Sequence, residues 1–325
     1  MTAAVTWATT LGLLTLGTAA TFLCALAFGG PHAPMPLASI NTPFAQVDYT
    51  SLPALRHYTA RDGTALTWRH YAPSGPLVGK RRVVLVHGSA GHGASMHALA
   101  QALAKAGFTV ATLDLRGHGG SGMRGRIGYI GQLEHDVEDF LRAEPHPGPQ
   151  TLLGFSSGGG FALRFAASGH GALFERYVLL APFLHQDAPT AKPAGRAWAA
   201  VGLPRTIALA WLNGLGITRW NHLPVLAFAI DEQVRAQLTP EYGFALAMNF
   251  RPHEDYRGDI RQASGRVQVL VGDGDELFDA DAYGPLFAPP GGAAPVTVVP
   301  GVGHVGLVLD PAGIQAAVQA CRPAA

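Results

Sequence analysis

Six short apolar runs, most of them followed by a helix-compatible stretch, constrain the fold of this chain more than any other feature. The runs are Val83–Val86, Phe108–Leu113, Thr151–Phe155, Tyr177–Leu180, Val267–Val271 and Val296–Val299. Such a rhythm is typical of parallel strands joined by helical crossovers. The runs are continuously apolar, which indicates a sheet covered on both faces. Ahead of them, His57–Tyr71 predicts a hairpin, because Asp62-Gly63 supplies the positive φ of a tight turn. The sequence therefore predicts an α/β fold with a mostly parallel sheet flanked by helices.

One long segment interrupts the rhythm. Residues 183–259 lack the alternation of strand and helix, and they contain three of the chain's five tryptophans, namely Trp198, Trp211 and Trp220. We predict that this segment is a helical cap over the strand ends. The core would then consist of residues 54–182 and 260–325.

Composition excludes several classes of protein. Only 14% of the 325 residues are charged and 48% are hydrophobic, which excludes a disordered chain. A formal net charge of +1 gives no reason to expect nucleic acid as a partner. The two cysteines, Cys24 and Cys321, are too few for a disulfide framework or a thiolate zinc site.

The N-terminal segment differs from the rest of the chain. No Asp, Glu, Lys or Arg occurs from Met1 to Val47, and Ala3–Phe28 is almost entirely apolar or small. As a helix this run would extend about 39 Å, more than the roughly 30 Å of a hydrocarbon core. We therefore predict that residues 1–30 form a single membrane anchor. Residues 31–53 contain five prolines, which predicts an extended linker.

A cleaved signal peptide is the alternative to an anchor, and it would leave an exported protein. Ala25–Ala27 resembles a small-x-small cleavage site, so cleavage would fall near Ala27. Against this alternative, no Lys or Arg precedes the apolar run, which also exceeds the usual length of a signal-peptide core, about 7 to 15 residues. Orientation in a membrane is not predicted, since the nearest arginine, Arg56, is too distant.

The most informative motif is Gly154-Phe155-Ser156-Ser157-Gly158, between a predicted strand and a predicted helix. The G-x-S-x-G string alone is a weak signal. At a sharp strand-to-helix turn, however, the serine adopts a strained backbone with its hydroxyl exposed, and the glycines allow close packing. Ser156 is therefore a candidate nucleophile.

A serine hydroxyl needs a base to take its proton and an acid to orient that base. His304 follows the last predicted strand in a loop of small residues, so its imidazole is free to reach another strand end. The preceding strand is followed by three candidate acids, Asp273, Asp275 and Glu276.

Acyl transfer also requires hydrogen-bond donors for the developing oxyanion. The backbone N–H of Ser157, at the start of the predicted helix, is one candidate. A second is the N–H of Ser89, in the glycine-containing loop that follows Val83–Val86.

Several of these segments together resemble a known family. They are His87–Ser89, Asp114–Ser121 (DLRGHGGS), Gly154–Gly158, Asp275 and Gly303-His304. They are similar to the α/β-hydrolase branch that contains monoacylglycerol lipases, lysophospholipases and serine aminopeptidase-like hydrolases. The resemblance covers roughly Ala54–Ala320.

The resemblance implies Ser156 as nucleophile, Asp275 as acid and His304 as base, in the chain order stated for this fold. It also implies Ser89 and Ser157 as oxyanion donors, and structural roles for Arg116 and His118. Two departures limit the resemblance. Ser89–His92 lacks the family's usual residues after the His-Gly pair, and the cap matches no segment of a named substrate class.

Motifs for cofactors and metals fail on context. Gly301–Gly306 satisfies G-x-G-x-x-G but lies too near the chain end for a βαβ unit. Asp273–Asp281 resembles a calcium loop, yet Leu277 occupies a ligand position. His87, His92 and His97 lack an H-E-x-x-H arrangement. We expect neither cofactor nor metal.

These observations favour a serine hydrolase of carboxylic esters with a small-molecule or lipid ester substrate, such as a monoacylglycerol or lysophospholipid. Aromatic cap residues with few neighbouring charges suggest an acyl-chain pocket. The candidates are Trp198, Trp211, Phe228 and Tyr242, with Phe244 and Phe250 nearby.

Two other functions are considered. An aminopeptidase of the same fold would need an acidic cluster for the substrate amine, such as Asp231-Glu232 or Glu254-Asp255. A membrane-tethered, catalytically inactive binding module would be expected to lack one of the three reacting residues. The sequence does not predict the oligomeric state.

Overall fold

The computed structural model describes residues 17, 18, 20–78, 80–288 and 294–323. Its strands, in chain order, are β1 (Leu55–Thr59), β2 (Ala65–Tyr71), β3 (Arg82–Val86), β4 (Thr109–Leu113), β5 (Gln150–Phe155), β6 (Arg176–Leu180), β7 (Ala199–Val201), β8 (Pro224–Phe228), β9 (Glu241–Gly243), β10 (Val267–Gly272) and β11 (Val296–Val299). Eight of them form one sheet in the order β1-β2-β4-β3-β5-β6-β10-β11. All six apolar runs coincide with strands of this sheet, which confirms the predicted α/β fold.

The sheet is parallel from β4 to β11. Only the β1–β2 and β2–β4 pairs are antiparallel, and β1 and β2 form the predicted hairpin, with Gly63 at φ +83°. Val86 at the end of β3 pairs with both Leu113 of β4 and Gly154 of β5. The carboxyl ends of the central strands therefore meet at one edge, where residues that follow different strands come together.

Helices flank this sheet and also occur in the cap and before β1. In chain order they are α1 (Ala38–Ala45), α2 (His97–Lys105), α3 (Gln132–Ala143), α4 (Ser157–Ala167), α5 (Leu203–Gly214), α6 (Phe244–Asn249), α7 (Tyr256–Ala263), α8 (Tyr283–Leu286), α9 (Gly306–Leu309) and α10 (Pro311–Cys321). α2, α9 and α10 form one packed group, and α4 packs against α7. Val83–Val86 are completely buried, as a strand covered on both faces should be.

The cap, residues 183–259, differs from the prediction of a helical insertion. It contains α5 and α6, but also the antiparallel sheet β7-β8-β9. These strands are only three to five residues long, and β7 pairs with β8 across more than twenty residues, as in Ala199 with Phe228. Such short strands leave no periodic pattern that distinguishes them from loops.

Residues 31–53 do not form the predicted extended linker. They include α1, with Pro43 inside it. Just before the helix, the Leu37 N–H donates to the carbonyl oxygen of Ala229 in the cap, at 3.1 Å. The proline content indicated an extended chain, but contacts with the rest of the protein stabilise a helix in this segment.

The prediction of a single N-terminal membrane anchor is contradicted. No helix in the described ranges combines the length and the apolar character needed to cross a membrane. The helical stretch over residues 20–28 ends against the cap, where Arg205 donates to the carbonyl oxygens of Leu26 and Ala27, each at 2.8 Å. Phe22 meets the ring of Trp211 edge-on, with ring centroids 5.2 Å apart. Residues 1–16 and 19 of the predicted anchor lie outside the described residues.

Candidate active site

Ser156 lies at the sharp turn between β5 and α4. Its φ of +56° is in the left-handed region, which residues other than glycine rarely adopt. The flanking glycines permit this turn: a Cβ at Gly154 would collide with the carbonyl oxygen of Gly158, and a Cβ at Gly158 with that of His87. This strained geometry holds the Ser156 hydroxyl at the edge of the sheet.

A chain of hydrogen bonds connects Ser156 to an acid through His304. His304 Nε2 is 3.1 Å from Ser156 Oγ, and His304 Nδ1 is 2.8 Å from Asp275 Oδ2. All three residues are buried, with exposures of 4%, 3% and 1% for Ser156, His304 and Asp275. The structure thus brings together three residues that follow β5, β10 and β11.

Asp275 is also held in place by backbone donors. Its Oδ1 accepts hydrogen bonds from the N–H groups of Leu277 at 2.8 Å and Phe278 at 2.9 Å. These bonds leave Oδ2 to accept from His304, which fixes the tautomer with the proton on Nδ1. His304 Nε2 is then the nitrogen that can accept a proton from Ser156.

The two other candidate acids have different partners. Asp273 Oδ1 accepts from the Gly301 N–H at 2.7 Å, on an exposed loop. Glu276 Oε2 accepts from the backbone N–H of His304 at 3.0 Å and does not bond to its ring in this arrangement. Only Asp275, among these three, lies against the imidazole.

The loop after β3 lies directly against Ser156. A Cβ at Gly88 would stand 3.3 Å from the Ser156 Cβ. Next along this loop, Ser89 Oγ accepts a hydrogen bond from the indole N–H of Trp198 at 2.8 Å. The Ala90 N–H donates to the Tyr242 hydroxyl at 2.6 Å. Ser89 and Ala90 both line the cavity beside Ser156, but the N–H of Ala90 is already used.

Ser157 is the first residue of α4. Its N–H has no acceptor one turn earlier in the helix, as at every helix start. The helix N-terminus adds a partial positive charge at the same point. The backbone of Ser157 can therefore donate to an anionic oxygen that forms at Ser156.

A buried hydrogen-bonded network lies beneath this loop. Because the Tyr242 hydroxyl accepts from Ala90, its own proton goes to His118 Nε2, 2.6 Å away. His87 stacks edge-on to His118, with centroids 4.6 Å apart, and its Nδ1 donates to the Gly88 carbonyl oxygen at 2.8 Å. Burial lowers the pKa of His87 to about 4 and the pKa of His118 well below its usual range. Both histidines are neutral and structural.

Arg116 is also structural. Its guanidinium binds both carboxylate oxygens of Asp136, at 2.7 and 2.8 Å, and both of Asp62, at 2.9 and 3.1 Å. These bonds connect the loop after β4 to α3 and to the β1–β2 turn. The conspicuous segment Asp114–Ser121 thus supports the site without lining its cavity.

A cavity of about 340 Å³ opens at Ser156 and His304. This volume is near the lower end of those of ligand sites, roughly 300–1,000 Å³. Core residues on its surface include Ser89, Phe155, Leu277 and Val305. The cap contributes Trp198, Val234, Gln237 and Leu238. No lining residue in the described ranges is acidic.

The four predicted substrate-binding residues of the cap occupy different places. Trp198 lines the cavity. Tyr242 and Phe228 are buried behind it, with ring centroids 4.6 Å apart, and Phe228 also packs against Trp198. Trp211 is 59% exposed on α5 and does not line this cavity. One of the four thus reaches the cavity.

The acidic pairs considered for an amine substrate lie outside the cavity lining. The Asp231 N–H donates to Asn41 Oδ1 at 3.3 Å, and neighbouring Glu232 is exposed. Glu254 pairs with Arg251 and His185 at the surface, and Asp255 caps α7. Within the described part of the chain, no group of His, Cys, Asp and Glu residues could hold a metal ion.

A family model matches most of the chain. Residues 79–291 fit the family Hydrolase_4, described as serine aminopeptidase, S33. The chain belongs to this family. It is an α/β hydrolase, as the motifs in Asp114–Ser121 and Gly154–Gly158 implied.

Individual proteins are also similar to the chain. A monoacylglycerol lipase of Mycolicibacterium smegmatis is 42% identical over 91 residues, which are 26% of this chain and 32% of that protein. The match thus spans about a third of the relative's length. A soluble variant of monoglyceride lipase from Saccharomyces cerevisiae, solved with a substrate analogue, gives a TM-score of 0.62 at 19% identity, covering 88% of this chain and 97% of that one. A monoacylglycerol lipase of Paleococcus ferrophilus gives 0.56 at 18% identity, covering 78% and 97%. At these identities the two solved structures show a shared fold.

Proposed function

We propose that this protein is a serine hydrolase of carboxylic esters, with a lipid-type substrate such as a monoacylglycerol or a lysophospholipid. The observation that carries the proposal is the hydrogen-bonded chain from Asp275 through His304 to Ser156 Oγ, beside an apolar cavity that Ser156 and His304 line. The monoacylglycerol lipase that shares 42% identity over 91 residues supports the same substrate class.

In the first half of the reaction, Ser156 Oγ attacks the ester carbonyl carbon as His304 Nε2 takes the hydroxyl proton. The imidazolium is stabilised by the carboxylate of Asp275. Negative charge develops on the carbonyl oxygen, and the N–H groups of Ser89 and Ser157 donate to it. When the tetrahedral intermediate collapses, His304 returns the proton to the departing alcohol and an acyl-enzyme remains on Ser156.

In the second half, a water molecule attacks the acyl-enzyme carbonyl. His304 takes a proton from the water, and the same two N–H groups stabilise the second oxyanion. Collapse releases the carboxylic acid and returns the proton to Ser156 Oγ. The reaction balances without a cofactor.

The cavity lining favours an ester over a peptide substrate. An aminopeptidase must bind a protonated amine, and a carboxylate is the usual partner for such a group. The described lining residues offer apolar side chains, hydroxyls, amides and imidazoles, but no carboxylate. A serine aminopeptidase of this fold remains the alternative that the substrate panel below must separate.

Two assays test this proposal on the full chain. The first is labelling by a fluorophosphonate, which reacts with an activated serine. The second is hydrolysis of a panel of p-nitrophenyl ester, monoacylglycerol, lysophospholipid and aminoacyl amide. We expect labelling and ester hydrolysis, both lost in Ser156→Ala, whereas Ser74→Ala, an exposed serine outside the cavity, keeps both.

The possible results separate the alternatives. Labelling that persists in Ser156→Ala would contradict Ser156 as the nucleophile. Cleavage of the aminoacyl amide in preference to every ester would favour the peptidase. A folded protein with neither labelling nor turnover would favour an inactive binding module.

A further inference from the structure

One wall of the cavity comes from a segment that precedes the part of the chain matched by the family model. We call residues 37–53 the strap; the family match begins at residue 79. Six strap residues line the cavity: Ile40, Asn41, Phe44, Ala45, Tyr49 and Leu52. Nothing in the family's motifs accounts for this wall.

The first end of the strap is fastened to the cap. Asn41 Nδ2 donates to the carbonyl oxygens of Leu37 and Ala229, both at 2.8 Å. Its Oδ1 accepts from the N–H of Asp231 at 3.3 Å, and the Leu37 N–H donates to Ala229. Asn41 thus uses both ends of its amide to hold α1 against the cap.

The second end is fastened to the core. Ser51 Oγ accepts from Gln101 Nε2 at 2.6 Å and lies 3.3 Å from His97 Nε2, and both partners belong to α2. The carbonyl oxygen of Pro53 accepts from Arg69 of β2. The ring of Tyr49 packs against His97, with centroids 6.1 Å apart. The strap therefore bridges cap and core.

Between these two ends, apolar side chains line the cavity. Ile40 is only 6% exposed although α1 lies at the surface, and Phe44, one helical turn later on the same face, is partly buried. Leu52 continues this wall. These side chains share one cavity with Ser156 and His304.

We propose that the strap is the acyl-chain wall of the active site and determines which acyl-chain lengths the enzyme prefers. This inference rests on the proposed ester hydrolysis. The ester carbonyl must lie at Ser156, so an acyl chain that extends past the first few carbons runs along Phe44 and Ile40. Each methylene buried there raises the affinity for the acyl chain about fourfold. The strap thus discriminates long acyl chains from short ones without contacting the reacting atoms.

The test compares chain lengths rather than absolute rates. The kcat/KM values of p-nitrophenyl acetate and p-nitrophenyl decanoate are measured for the full chain, and their ratio is compared among variants. Phe44→Ala is expected to lower the decanoate-to-acetate ratio about tenfold. The variant loses contacts with the decanoyl chain, whereas the two-carbon acetyl group is too short to run along Phe44. Met35→Ala is the matched control, because Met35 is 87% exposed and does not line the cavity. Its ratio should stay within twofold of the wild-type ratio.

The ratio cancels any loss of folded protein, so a partly unfolded variant remains informative. Phe44→Leu serves if Phe44→Ala does not accumulate, with a smaller shift in the same direction. A decanoate-to-acetate ratio within twofold of wild type in both Phe44 variants and in Ile40→Ala would overturn the inference. A threefold or larger change confined to these variants supports it.

The attachment of the strap gives a second test. Asn41→Ala removes the two side-chain hydrogen bonds that hold α1 to the cap, while Thr42→Ala changes an exposed neighbour. The Asn41 variant should lower the decanoate-to-acetate ratio at least threefold, and the Thr42 variant should leave it within twofold of the wild-type ratio. Equal ratios in Asn41→Ala, Thr42→Ala and wild type would contradict the proposed anchoring of the wall.

A binding measurement separates failure of this inference from failure of the proposed function. In a Ser156→Ala background, calorimetry compares the affinities of hexanoate and decanoate with and without Phe44→Ala. A loss of at least threefold for decanoate alone supports the strap as an acyl wall even if fluorophosphonate labelling fails. Unchanged decanoate affinity would count against the strap whether or not Ser156 is labelled.

Discussion

The two sides of the cavity are built in different ways. On the reacting side, Ser156, Asp275 and His304 each follow a strand of the parallel sheet, so the register of β5, β10 and β11 fixes their separation. The facing wall comes from the cap and the strap, which contribute no strand to that sheet. The sheet therefore determines the chemistry. The wall belongs to other elements than the reacting groups, and we expect it to determine selectivity.

The largest effect should follow a change on the reacting side. Asp275→Asn keeps the size of the side chain but removes the charge that holds His304 in the tautomer required of the base. We expect kcat to fall about 10⁴-fold, the loss typical of the same change in a Ser-His-Asp triad. Steady-state kinetics with p-nitrophenyl acetate, which lacks the long acyl chain that the strap is proposed to contact, measures this loss.

Asp273→Asn is the matched control for that variant. Asp273 bonds to the Gly301 N–H, and an asparagine retains an oxygen for this contact. Its kcat should remain within about threefold of wild type. A larger loss in Asp273→Asn than in Asp275→Asn would show that the acid has been misidentified.

Buried neutral histidines beneath the reacting side predict acid lability of the fold. Burial lowers the pKa of His87 from 6.5 to about 4, so between these two pH values the unfolded state binds more protons than the folded state. Stability is therefore retained above pH 6.5 and lost as the pH falls towards 4, by about 2–3 kcal/mol for this group. Urea unfolding between pH 7.5 and 4.5 measures the change.

His87→Asn tests the source of that dependence. Asparagine can still donate to the Gly88 carbonyl oxygen but takes up no proton in this pH window. The unfolding free energy of the variant should change less steeply between pH 6.5 and 4.5, because about one proton fewer is taken up on unfolding. An unchanged slope would assign the acid lability to other groups.

The sequence could predict the reacting side because its signals are local. Each apolar run predicts a strand, and the residues after it are then placed at a common edge by the parallel arrangement. The choice of Asp275 over Asp273 depended on the family resemblance, since both follow β10 within four residues. What separates them in the structure is direction: Asp275 bonds to His304, and Asp273 bonds to Gly301.

The facing wall was harder to predict because its contacts are long-range. Prolines in residues 31–53 indicated a linker, although Leu37, Ile40 and Phe44 have the three-and-four spacing of an apolar helix face. The bonds of Asn41 to Ala229 and Asp231 join residues 188 and 190 positions apart, and no local pattern encodes them. The same limitation applies to the short strands of the cap.

Tyr242 connects the two sides, so its variant tests how independent they are. Tyr242→Phe leaves the buried Ala90 N–H without an acceptor and His118 Nε2 without a donor. An unsatisfied buried group costs about 1–3 kcal/mol, so the free energy of unfolding should fall by that amount. Because Ala90 follows Ser89 in the loop, kcat should also fall, by roughly tenfold.

Tyr177→Phe provides the comparison for this effect. The Tyr177 hydroxyl is also buried, but it donates to the backbone carbonyl oxygen of Gly171, before β6, and not to the loop after β3. This variant should lose stability with no change in kcat. Equal kcat values for the two variants would show that the cap does not position the loop after β3.

The smallest effect concerns the hydrogen bond from Trp198 of the wall to Ser89 in the loop after β3. Trp198→Phe keeps an aromatic side chain in the cavity but removes the indole N–H that donates to Ser89 Oγ at 2.8 Å. A neutral hydrogen bond contributes about 0.5–1.5 kcal/mol, so kcat for p-nitrophenyl acetate should fall about two- to tenfold. Trp211→Phe changes a cap tryptophan that is exposed and does not line the cavity, and its kcat should stay within twofold of wild type. The contrary outcome is that Trp198→Phe alters only the decanoate-to-acetate ratio and leaves kcat for acetate unchanged. Trp198 would then act only as part of the wall. The reacting side and the selective side would in that case be more independent than the hydrogen bond between Trp198 and Ser89 indicates.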